Sequence, residues 1–180
     1  VISPAPSRFR SATRRGFTVL ELATVAVVTG ILAISAIPAF RTLSDVRAAA
    51  AAAEVRRTLQ KARGSAIASA RPIGVSLDTS GTLQLVWISA PGIAPQPALD
   101  SLGAPEHDIL LPSLFPGVAI TAATSGSGQS GNFTLWFDHE GVPHSRSITG
   151  IRSAPWTADA SITLTGGGVI TVRRLSGVIE

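Results

Sequence analysis

One carboxylate in this chain stands where it is costly. Glu21 lies four residues after Phe17, in the run Arg14-Arg15-Gly16-Phe17-Thr18-Val19-Leu20-Glu21, and no other charge follows before Arg41. From Phe17 to Ile37 there are 21 residues, and at about 1.5 Å rise per residue such a helix matches the roughly 30 Å of a bilayer's hydrocarbon core. An ionisable group within such a span costs on the order of 2.5–3.5 kcal/mol on insertion scales, so a specific partner has to be found for it. No lysine or arginine occurs within the span to serve. A cut after Gly16 supplies one, because it frees the amine of Phe17, a cation with an ordinary pKa of about 7.7–8. Within one subunit that amine sits about one helical turn from Glu21; between subunits in a bundle the two groups are placed to pair.

Other constellations carry less chemistry. His139 and His144 flank a turn with Asp138 and Glu140 beside them, but five-residue spacing across a tight turn is not a standard ligand pattern, and a polar hairpin tip explains it. Asp100, Glu106 and Asp108 offer oxygens without the regular ligand order of a calcium loop. No serine lies in a Gly-x-Ser-x-Gly elbow leading into a helix, and Ser127 and Ser130 sit among glycines in a segment expected to be too flexible to hold a catalytic geometry. The residues therefore point to no enzyme, no metal and no cofactor. Trp87 and Trp136 fall within apolar strands, whereas Trp156, beside Pro155 in a loop, is expected to be a contact residue.

The formal charge of +4 and pI near 11.2 invite a nucleic-acid reading until the charges are located. Arg8, Arg10, Arg14 and Arg15 all precede Phe17, and setting these four aside leaves 11 basic against 11 acidic side chains. Residues 41–71 hold seven basic and two acidic groups, while 72–180 hold four basic and eight acidic. The stem is cationic and the head mildly anionic, so the head exerts no bulk attraction on phosphate. Basic residues before a first membrane helix stay on the cytoplasmic side, which places everything after Pro38 outside. With no cysteine the exported part uses no disulfide, and its stability has to come from an apolar core.

The elements follow from the pattern. After Pro38, which is expected to kink the rod, an alanine-rich helix continues to about Ala70 with Val55, Leu59, Ala62 and Ala66 on one stripe. From Pro72 the sequence turns to short alternating runs. Residues 73–78 and 82–88, 133–138 and 142–148, and 160–165 and 169–174 read as three hairpins, with 118–123 as a further strand. Residues 89–108 and 124–132 read as loops, the second, rich in Ser and Gly, as mobile. The expected fold is α+β: a long N-terminal helix packed on an antiparallel sheet or two small ones.

Gly16-Phe17-Thr18-x-x-Glu21 after a basic leader resembles the class III signal of type IV pilins and type II secretion pseudopilins, with Gly30 and Pro38 where those helices commonly carry glycine and proline. The segment from Leu59 to Ile67, then Arg71-Pro72-Ile73, the turn Phe137-Asp138-His139-Glu140-Gly141 and the stretch Ile170–Val178 are similar to GspH- and FimT-type minor subunits. The resemblance implies a type IV pilin-like fold. It implies a leader over 1–16 removed by a prepilin peptidase after Gly16, N-methylation of Phe17, a membrane and assembly helix over 17–38 with Glu21 neutralising a neighbour's terminus, an amphipathic helix over 39–71 and a periplasmic head over 72–180. The implied partners are other pilin or pseudopilin subunits, the peptidase and an inner-membrane assembly platform.

The implied place is a single pass of the inner membrane, and the implied role that of a minor pseudopilin in type II secretion, or alternatively a FimT-like minor pilin for fibre initiation or DNA uptake. Some FimT-like subunits bind DNA through arginines in their C-terminal segment, here Arg173 and Arg174, but the segment ends in Glu180 and adjacent strand residues face opposite sides, which argues against a nucleic-acid partner. An ordinary secretory signal, a twin-arginine signal and a plain anchor compete for the N-terminus; secretory apolar regions run about 7–15 residues, and Glu21 suits neither export signal.

Overall fold

A computed structural model describes residues 17–90, 92–100, 102–153 and 155–180, with the backbone alone over 35–41. Gly16 and the arginines before it lie outside the described residues. The chain divides at Arg41 into two compact units, the second being Thr42–Glu180. Helix α1, Val19–Ser69, is continuous in secondary structure through position 38. Among the described residues no helix is long and apolar enough to cross a membrane. In the first unit the described apolar side chains are exposed, Leu20 at 79% and Leu32 at 64%.

In the second unit the C-terminal part of α1 behaves as an amphipathic helix must. Ala51, Val55, Leu59, Ala62 and Ala66 are completely buried, the spacing of a single helix face. The helix ends where Ala70 takes a left-handed conformation with φ of 51°, a position usually given to glycine, and Pro72 blocks continuation.

The strands form two antiparallel sheets. In the larger, β1 (Ile73–Leu77) pairs on one side with β2 (Thr82–Trp87) and on the other with β6 (Phe133–Phe137). Short edges complete it: β3 (Gln96–Pro97) and β4 (Ile109–Leu110) on β2, and β7 (Pro143–His144) on β6. The smaller sheet runs β5 (Ile120–Thr124), β8 (Ala160–Leu164), β9 (Val169–Val172). A four-residue helix, α2 (Leu111–Leu114), precedes β5. One core joins the buried stripe of α1 to the inner faces of both sheets, through Val75, Leu83, Leu135, Phe137, Ile162 and Ile170 among others.

Alternation sends Gly74 and Trp136 to the outer face of the larger sheet, as cross-strand partners. There Trp136 lies across Gly74, where a Cβ would stand 2.8 Å from the ring, and packs with Val86 and Ile88 as a second apolar cluster.

Three expectations need correction. The strand expected over 142–148 stops at His144, because Ser145 and Ser147 turn to pair with 151–153 instead: the Ser153 N–H donates to the Ser145 carbonyl at 2.9 Å and the Ser147 N–H to that of Ile151 at 2.9 Å. The loop expected over 89–108 contains β3. The segment 124–132, expected to be mobile, is clamped. Ser125 and Gly126 are buried, the Gln129 N–H donates to Ser125 Oγ at 3.0 Å, and Gly126 packs so closely under Trp156 that a Cβ there would collide with the indole.

Candidate functional site

The helix start is built from residues adjacent in sequence. Thr18 and Glu21 form a reciprocal capping box: the Thr18 N–H donates to Glu21 Oε2 at 3.0 Å, the Thr18 hydroxyl to the same oxygen at 3.1 Å, and the Glu21 N–H returns to Thr18 Oγ1 at 3.2 Å. The sequence signal for this was present in Thr18-x-x-Glu21, a capping-box pattern that the reading above passed over. The carboxylate is thereby folded back toward the first residues of the helix, beside the peptide of Phe17. Phe17 itself is 83% exposed.

The second unit places the remaining candidates. Phe137 is fully buried. Asp138 organises the turn that follows: its Oδ1 accepts the N–H groups of Glu140 at 3.1 Å and Val142 at 2.9 Å. Arg63 on α1 fastens this turn to the C-terminal one, donating to the carbonyls of Gly141 at 3.2 Å and Ser176 at 2.9 Å. The Phe-Asp-x-x-Gly run is therefore a structural corner.

The two histidines do not converge. His139 is exposed, while His144 is fully buried rather than at a polar tip. Burial, reinforced by the charge of Arg146, pushes His144 down to about 4. The neutral ring fits its partners, with Nδ1 3.4 Å from the Val142 carbonyl and Nε2 accepting from Arg146 Nε at 2.8 Å. Among the described residues no group of His, Asp and Glu is arranged to hold a metal ion. The acids considered for calcium have separate tasks: Asp100 caps its own turn through Leu102 and Ala104, Glu106 takes Lys61 of α1 at 2.6 Å, and Asp108 accepts from Gln84 at 2.9 Å.

Trp156, expected to be a contact residue, is buried at 6% exposure, and its Nε1 donates to Ser145 Oγ at 2.8 Å. Hydroxyl contacts of 2.9 Å continue from Ser145 to Ser127 and from Ser127 to Ser125, stitching the two sheets together. Arg173 is spread between two acids, with Nη1 on Asp159 at 3.0 Å and Nη2 on Glu180 at 2.8 Å. The Arg174 N–H also donates to Asp159 at 2.8 Å, and this bond, with the Arg173 pair, holds Asp159 below the ordinary carboxylate range.

Among the described residues, then, a small-residue helix face is seated on antiparallel sheets, and the polar side chains named above serve caps, turns and ion pairs. Residues 51–172 match the sequence model of the family described as type II transport protein GspH, and the chain belongs to that family. No curated protein matches it. Among solved structures, the type IV minor pilin FimU of Pseudomonas aeruginosa aligns in two crystal forms. One has 20% identity, covers 74% of this chain and 86% of that one, and has a TM-score of 0.46. The other has 20% identity, covers 73% and 89%, and has a TM-score of 0.44.

Proposed function

We propose that the chain is a minor pseudopilin of a type II secretion system, a subunit of a short periplasmic filament that moves substrates through the secretion pore. The family match over residues 51–172 carries this reading. The N-terminal sequence supports the rest. A peptidase cut after Gly16 leaves Phe17 as the methylated terminus, residues 17–38 act as the membrane and assembly helix with a bend at Pro38, and 39–180 form the stem and head on the periplasmic side. Glu21 has a double duty in this scheme. Thr18 satisfies it in the free subunit, and the terminal amine of a neighbour takes the carboxylate when subunits pack side by side, an opposite charge in low dielectric being the cheapest way to keep it ionised. A type IV pilus subunit would share all of this physics, and the identity of the co-purifying minor subunits separates the two.

Mass spectrometry of the mature protein is expected to find methylated Phe17 as the first residue; a start near Ile37 would sink the filament reading. Glu21→Ala is expected to leave cleavage intact and abolish co-purification with partner subunits. Normal assembly in that variant would remove Glu21 from the mechanism.

A further inference from the structure

Two guanidiniums of the second unit border one pocket, and each is held against an indole. Arg71 follows the C-terminal end of α1, where the helix dipole favours a cation, yet it donates to no carbonyl there and has no ion pair among the described residues. Its guanidinium lies over the Trp87 ring, 5.6 Å from the centroid. Arg146 is half-buried, with its guanidinium over the Trp136 ring at 6.0 Å. Its Nε donates to His144 Nε2 at 2.8 Å and Nη1 to the Gly150 carbonyl at 2.7 Å, while Nη2 meets no protein acceptor among the described residues. Burial first, and then the charge of Arg152, hold the Arg146 guanidinium below its ordinary value; Asp138, paired to Arg152 at 3.5 Å, offsets this only in part. Stacking on an indole fixes the plane of a guanidinium and leaves its N–H edge open to a ligand.

The pocket has a volume of about 230 Å³, and its other described walls are Pro72, Ile88, Ser89 and Ala90. No carboxylate lines it among the described residues. Ile88 is buried in the cluster with Trp136 and Val86, so this wall is part of a packed face, and Ser89 is exposed with a hydroxyl that enters no internal hydrogen bond there. Charges of one sign set among low-dielectric walls concentrate their field in the space between them. Asp78 lines a separate groove, which Arg146 also borders. It lies beyond the other end of β1 from Pro72, about 20 Å along an extended run at roughly 3.3 Å per residue, more than two screening lengths of about 8 Å at physiological salt. Two unneutralised cations at one cavity oppose folding, and departures of this kind collect where a protein keeps a group for a ligand.

We propose that this pocket binds a doubly charged phosphate group, free or as the terminal monoester of a lipid headgroup, with Arg71 and Arg146 as a two-sided clamp and the Ser89 hydroxyl as a third donor. A carboxylate is satisfied by the fork of one guanidinium, whereas two forks arriving from different elements suit the three terminal oxygens of a phosphate. The charge of such a group is close to −2 near neutral pH, by about the same amount that the two arginines supply. The net acidity of the head, eight acids against four bases over residues 72–180, does not prevent this. A single phosphate meets only the local field, because more distant charges are screened, while a long polyanion such as duplex DNA would meet the whole surface. The site stands on the geometry of the second unit and does not depend on the filament reading.

The test titrates the full-length chain, in neutral detergent micelles and a phosphate-free buffer of constant ionic strength, with inorganic phosphate, dimethyl phosphate and acetate. The Trp87 and Trp136 indole resonances and the Arg71 and Arg146 Nε–H resonances are followed by NMR. Inorganic phosphate is expected to give saturable shifts with a Kd of about 1 mM or tighter, and the two monoanions to bind at least about tenfold more weakly. R71Q is expected to weaken phosphate about tenfold or more, R71K to keep part of the affinity, and R174Q, at an arginine outside the pocket, to change nothing. Micelles doped with phosphatidic acid distinguish the sources: the same shifts at a lower bulk concentration identify a lipid headgroup, and shifts with inorganic phosphate alone identify the free ion. Shifts that fail to saturate overturn the proposal, as do equal binding of acetate, wild-type affinity in R71Q, or stronger binding of a short DNA duplex than of phosphate. R71Q removes an exposed side chain that makes no internal hydrogen bond, so its fold is expected to survive, and R146Q serves as the second arm where it folds. A mature N-terminus other than Phe17 would undo the filament reading and leave this titration untouched, so the two failures are distinguishable.

Discussion

The two parts of α1 are both rich in apolar residues, yet they meet opposite fates. Up to Ile34 the described apolar side chains are exposed all round, Val19 at 87% and Ile34 at 72%; after Thr42 a narrow stripe is sealed, with Val55 and Leu59 at 0%. The difference lies in the arrangement of charge. Arg56, Arg57 and Lys61 divide the second part into a wet face and a dry one, so it has one way to lie on the sheets. The first part lacks such a division, and its described apolar side chains stay exposed. Hydrophobic content alone therefore does not locate the core of this protein; the polar residues between the apolar ones do.

That contrast can be tested directly. Leu59→Ala empties a fully buried site and is expected to destabilise the second unit by about 2–5 kcal/mol. Leu22→Ala, at a position 68% exposed, is expected to change unfolding by less than about 0.5 kcal/mol. Chemical denaturation of both variants in detergent, read by tryptophan fluorescence, checks the pair. Similar losses would mean that the first part of the helix is packed after all.

A smaller effect separates the head from the helix by pH. His144 is held at about 4 when folded, against 6.5 for the free side chain, so the unfolded chain binds the extra proton first as pH falls. The stabilisation is fully present above about pH 6.5 and is lost progressively down to about pH 4, amounting to at most about 3 kcal/mol. Protonation would also turn Nε2 from an acceptor into a donor facing Arg146, with Arg152 adding to the repulsion and Asp138 partly offsetting it. Melting curves between pH 7 and 4 are expected to show this fall, and His144→Gln to flatten it. An unchanged slope in the variant would assign the acid sensitivity to the carboxylates instead.

A smaller loss again probes the seam between the sheets. Ser145→Ala strips the Trp156 indole N–H of its acceptor and breaks the hydroxyl chain to Ser127, which is expected to cost about 1–2 kcal/mol. Trp156 fluorescence and the melting temperature report it together, and a wild-type melting temperature would show that the seam contributes nothing.

Local pattern made much of this legible. Val55, Leu59, Ala62 and Ala66 were readable as a buried stripe because helix periodicity acts over a few residues, and the strand positions of β1, β2, β6, β8 and β9 follow from alternation between turn residues. The capping partnership of Thr18 with Glu21 was likewise written in four neighbouring residues.

Contacts between distant segments were not legible. Trp156 looked like a loop residue seeking a partner because neither Gly126 nor Ser145, which enclose it, is near it in sequence. His139 and His144 read together as a polar hairpin tip until folding left the first exposed and buried the second. By itself, then, the sequence determined most of the elements and their buried faces, since propensity and periodicity are local. Only the tertiary structure decided which charges find partners, because pairing and desolvation depend on what the rest of the chain brings alongside.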